Sequence, residues 1–129
     1  MGECNVSGQD HRKSSRESVR KQRPAVLDRE HLSRYTMASA ELEREIIGLF
    51  LMQLPSIVTL LKTAVDNAEW KFATHTLKGS ALAIGADRIV ATTRLLEATP
   101  VAGTEEAKAR LIARLDREIA TFRQAAGRI

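Results

Sequence analysis

From about residue 26 onward, apolar positions recur every three or four residues in four long stretches and one short one. Side chains at that spacing share one face of a helix, so each stretch predicts an amphipathic helix with one inward stripe. The clearest runs from Asn67 to Ile84. There Trp70, Ala73, Thr74, Leu77, Ala81 and Ile84 gather on one side, and Lys71, His75, Lys78, Gly79 and Leu82 on the other. Asp66 and Glu69 have the spacing of a capping box at its start, and Gly85 can end it by taking a left-handed conformation.

The flanking stretches read in the same way. Asp28 is placed to cap a short helix reaching about Tyr35, with Leu27 and Leu32 as a hydrophobic staple. Ser39 caps a longer helix that carries Glu41 and Glu43 against the positive end of its dipole, with Leu42, Ile46, Leu49 and Phe50 as the inward stripe. Pro55 lies inside a pattern that continues through Ile57, Leu60, Leu61 and Ala64. Its ring removes a backbone donor and crowds the Leu51 carbonyl, which predicts a kink or short break before the helix resumes to about Val65. Asp87 opens the next helix, with Ile89, Thr92, Thr93 and Leu96 on one face. After the loop at 99–103, Thr104 caps a last helix in which Ala107, Leu111, Leu115, Ile119 and Phe122 recur. No segment alternates with period two between turn signals, so strands are excluded. The expected fold is all-α, an up-and-down antiparallel four-helix bundle with a short extra N-terminal helix and a disordered N-terminal tail.

Composition agrees with that class and locates the charge. At 129 residues and 43% hydrophobic content the chain suits one domain with one core, and 4% aromatic content with few Gly and Pro favours helix over strand. The net charge of +4 raises the question of a nucleic-acid partner. Most of the excess sits before Pro24, where Arg12, Lys13, Arg16, Arg20, Lys21 and Arg23 outnumber Glu3, Asp10 and Glu17. That segment has no apolar periodicity, so residues 1–25 read as a disordered basic tail and 26–129 as the bundle. The bundle itself is almost neutral, which argues against nucleic acid as its partner. A lone cysteine, Cys4, fits a reducing compartment, and neither a signal peptide nor an apolar run near 20 residues is evident. These features predict a cytoplasmic protein with no membrane association.

The chemistry centres on His75. Its helical phase turns the imidazole away from the core, in the run His75-Thr76-Leu77-Lys78-Gly79-Ser80-Ala81 followed by Gly85-Ala86. Histidine is largely neutral near pH 7 with one ring nitrogen free, so it can accept a phosphoryl group without an activating base. Lys78, one turn on, is placed to neutralise charge on the phosphoryl oxygens, and Lys71, one turn back, adds to the field. Gly79 lies beside the imidazole at i+4. A glycine in mid-helix costs about 1 kcal/mol relative to alanine, and one here leaves room for a partner's loops. Phe72 and Leu82 border the same face as docking residues. Zinc is excluded as the purpose of His75, because Lys78 and Gly79 occupy the positions where a second ligand would stand. An isolated helical histidine is ordinarily a plain surface residue, and His11 and His31 are read that way.

This stretch resembles the histidine-containing phosphotransfer (HPt) domains of bacterial phosphorelays, and the resemblance covers roughly residues 26 to 125. It implies a bundle that accepts a phosphoryl group from the aspartate of one receiver domain and passes it to another. His75 would carry the group on Nε2, with Lys78 and Gly79 shaping its surroundings. The implied partners are response-regulator receiver domains and a hybrid histidine kinase. The chain itself would be a monomeric carrier without catalytic turnover or cofactor, any Mg²⁺ belonging to the partner receiver.

Three other functions compete. A sensor-kinase fragment would need a nucleotide-binding domain, and no Gly-rich phosphate loop is found; Thr76 also stands where such kinases commonly carry an acidic residue. A binder of nucleic acid or acidic partners through residues 11–23 would show steep salt dependence that survives loss of His75. A plain helical interaction module would be indifferent to phosphorylated receivers.

Overall fold

The computed structural model describes residues 24–99 and 105–127. Within them the chain forms five helices and no strand: α1 (Arg29–Tyr35), α2 (Ala40–Thr63), α3 (Asn67–Ile84), α4 (Asp87–Glu97) and α5 (Glu105–Ala126). The basic tail, the Thr104 cap and most of the 99–103 loop lie outside the described residues.

Local chemistry explains the helix starts. The Asp28 carboxylate accepts from the His31 amide, Ser39 Oγ from Leu42, and Asp66 from Glu69, each offsetting an amide that the first turn leaves unpaired. Glu69 completes the start of α3 by accepting from the Val65 amide at 2.9 Å. At the other end of α3, Gly85 takes φ 85°, and the amides of Gly85 and Ala86 reach back to the carbonyls of Leu82 and Ala81. This is a Schellman closure.

Helices α2, α3, α4 and α5 pack in sequence, and α5 returns to α2, so four helices surround one core. Short links force antiparallel neighbours: Ala64–Asp66 between α2 and α3, Gly85 and Ala86 between α3 and α4. The Trp70 indole at the start of α3 donates to the Leu96 carbonyl at the end of α4, 3.0 Å away, as that direction requires. Phe50 and Phe122 meet edge to face across the core at 5.3 Å. Helix α1 closes one end of α3. The Asp28 amide donates to the Gly85 carbonyl, and His31 Nε2 donates to the Ala83 carbonyl at 2.9 Å. His31 is thus half-buried and tied down, not the free surface residue its isolated position suggested.

Helix α2 departs from the pattern read in the sequence. Its buried stripe is Ile47, Phe50, Leu54, Ile57, Val58 and Leu61; Leu42 and Leu49 face solvent and Ile46 is only half-buried. The helix is apolar nearly all round, so two phases compete locally, and packing on α3 and α5 selects the one that continues beyond Pro55. Nor does Pro55 interrupt it: the helix is continuous from Ala40 and ends at Thr63, two residues short of Val65. A mid-helix proline costs about 3 kcal/mol. Burying Ile57, Val58 and Leu61 on the face already set by Phe50 and Leu54, at roughly 1.5–3 kcal/mol each, outweighs it. By length and composition α2 would also suffice to cross a membrane, which the run-length reading missed. Its apolarity comes from the core stripe together with exposed residues such as Leu49 and Met52.

Candidate functional site

His75 projects from the middle of α3. The six inward residues predicted for this helix are all buried, and they fix its rotation, so His75, Lys71 and Gly79 are exposed on the opposite side. Phe72 is 63% exposed and Leu82 44%, and the two flank His75 one turn back and two turns on. The five residues thus share one outward face, as their spacing predicts.

Gly79 has an informative surrounding. A Cβ built on it would meet nothing within 4 Å. The glycine is therefore not needed for packing inside this chain, and its helix-weakening effect goes unrepaid by any internal contact. Ser80, the next residue, turns to α2 and donates from Oγ to Gln53 Oε1 at 3.3 Å. Beyond it a shallow, mainly apolar groove runs between α2 and α3, lined by Tyr35, Ile46, Leu49, Gln53, Ser80 and Ala83 among others.

Lys78 is not a free cation. Its Nζ donates to Glu97 Oε1 on α4 at 2.9 Å, with both side chains about a quarter exposed. Glu97 lines a cleft with Asn67, Trp70, Lys71, Thr74 and Thr99. Because Cβ atoms on a helix lean toward its N-terminus, Lys78 leaves α3 in the direction of His75, one turn back. Sequence reasoning missed Glu97, which lies 19 residues from Lys78 and on another helix. No local pattern links the two; only the α3–α4 hairpin brings them together.

Among the described residues, no group of three His, Cys, Asp or Glu side chains is arranged to hold a metal ion. A second acidic site lies away from His75, at the start of α4. Burial pushes the Asp87 carboxyl above its ordinary value, the nearby Asp28 carboxylate adds to the rise, and His31 opposes it.

The arrangement displays one imidazole on a rigid helix, beside a position without a side chain and an ammonium held by a neighbouring helix. Comparison with known proteins agrees with it. No curated protein or solved structure matches the chain significantly. A family model described as Hpt domain matches residues 45–125, which include α3 entire and all the outward-facing residues named above. With that match covering well over half of its length, the chain belongs to the Hpt domain family, whose members carry phosphoryl groups in phosphorelays.

Proposed function

We propose that this protein carries a phosphoryl group on His75 between the aspartates of receiver domains, acting as a cytoplasmic monomer between a hybrid histidine kinase and a response regulator. The observation that carries this reading is the exposure of His75 on the solvent face of α3, next to a glycine that no internal contact requires. Neutral imidazole, protonated on Nδ1, attacks the phosphorus of the aspartyl phosphate through Nε2. The bond from phosphorus to the carboxylate oxygen breaks, and the carboxylate leaves with the electron pair. The group transfers as PO3−; the ring takes one positive charge and the phosphoryl oxygens carry two negative ones, so charge is conserved and no proton has to depart. The Mg²⁺ that offsets charge on the phosphoryl oxygens is assigned to the receiver.

In this reading Gly79 lets the receiver's loops approach, and Lys78 supplies positive charge to the phosphoryl oxygens. Lys71 adds to that field, while Phe72 and Leu82 offer apolar contact to a docking receiver. Because the partner brings most of the site, the contact is small and transient.

The test is incubation with a radiolabelled phospho-receiver. Wild type should take up label that is acid-labile and base-stable, and His75→Gln, folded as judged by circular dichroism, should take up none. Equal labelling of the variant would remove His75 from the role.

A further inference from the structure

Resting on the phosphotransfer reading, we infer that Glu97 is a positioning residue that competes with the phosphoryl group for Lys78 and so sets how tightly His75 holds its cargo. In the unphosphorylated protein the Lys78 ammonium is committed to Glu97 at 2.9 Å. Lys78 stands one turn on from His75 and helical side chains lean toward the N-terminus, so its long stem lets the same ammonium turn to a phosphoryl group on Nε2 by rotating about its own bonds. It cannot serve both carboxylate and phosphoryl oxygens with full strength. Phosphorylation of His75 therefore draws Lys78 from α4 back to α3, and dephosphorylation returns it.

The consequence is a carrier that is deliberately not a sink. If Lys78 were free, its charge would stabilise the phosphoryl group on His75 at no cost, and onward transfer would be less favourable. With Glu97 present, part of that stabilisation is spent on breaking an existing ion pair. Part-exposed pairs of this kind contribute roughly 0.2–1 kcal/mol, which corresponds to a shift of up to about fivefold in the transfer equilibrium. Lys71 lines the same cleft as Glu97, so it adds to the local field while Lys78 holds the ion pair.

The experiment measures the equilibrium between phospho-receiver and phosphorylated full-length protein, together with the hydrolytic lifetime of the phosphohistidine. Glu97→Gln should raise the fraction of label on His75 about two- to fivefold and lengthen its lifetime. In a Lys78→Met background most of that rise should disappear. An unchanged or lowered fraction in Glu97→Gln overturns the inference, and so does an equal rise in both backgrounds, which would make Glu97 act by its own field. A tie that only braces α3 against α4 would lower the thermal midpoint and slow transfer in both directions without moving the equilibrium, which also overturns it. Labelling of the wild type separates these results from failure of the phosphotransfer reading itself, since a protein that takes up no label fails there first.

Discussion

Gly79→Ala and Gly48→Ala form a matched pair that separates folding from partner contact. Both glycines lie inside helices, and a Cβ added at either meets no atom within 4 Å. Alanine is preferred over glycine in a helix interior by about 0.8–1 kcal/mol, and nothing in either surrounding opposes the gain. Each variant should therefore be more stable by about that amount, raising the midpoint of thermal unfolding by roughly 4 °C for a domain of this size. Transfer should distinguish them. A methyl group forced into a close-packed contact costs about 1–3 kcal/mol, so Gly79→Ala should slow phosphotransfer from a receiver by between roughly 5-fold and 150-fold. Gly48→Ala should transfer at the wild-type rate. Calorimetry gives the midpoints and rapid-quench labelling gives the rates. If Gly79→Ala is stabilised and transfers at full speed, the partner does not need the space at Gly79. If it is destabilised, the open surrounding has been misjudged.

Gly79→Glu should remain folded yet transfer more slowly still, which the same labelling assay reads. Gly85→Ala should cost about 2–3 kcal/mol in denaturant unfolding, because the position is left-handed and the new Cβ would meet the Asp28 carbonyl at 3.0 Å. Thr92 is fully buried and its hydroxyl has no partner, so Thr92→Val should stabilise by about 1 kcal/mol; a loss of stability would mean that the hydroxyl is satisfied. Asp87 has its proton affinity raised by folding, so the native state binds the proton more tightly than the unfolded chain. Its contribution to stability is present at low pH and declines as pH rises from 3.8 through the raised native value. Asp87→Asn should remove that decline, and unfolding curves across the acidic range that match wild type in shape would refute it.

Helix α3 was legible in full from the sequence. Asp66, Gly85 and the six inward residues each point to one phase, because polar and apolar positions segregate cleanly around it. Helix α2 was not, since Ile46, Ile47, Leu49, Phe50 and Leu51 satisfy more than one stripe and only the neighbouring helices decide among them. At Pro55 the local penalty was visible, whereas the tertiary burial that keeps the helix unbroken through it was not. At the site, the outward placement of His75, Lys71, Phe72, Gly79 and Leu82 followed from spacing alone. The engagement of Lys78 by Glu97 and of His31 by the Ala83 carbonyl did not, because each joins separate elements whose relative placement only the folded chain defines.

The chain has one tryptophan, and its position makes it a built-in optical gauge. Trp70 is buried at the start of α3, bonded to the end of α4, with the Lys108 ammonium of α5 lying 5.8 Å from its ring centre. Its emission colour and intensity therefore register how three helices meet at one end of the bundle, and slippage among them can be followed in real time without attaching a dye.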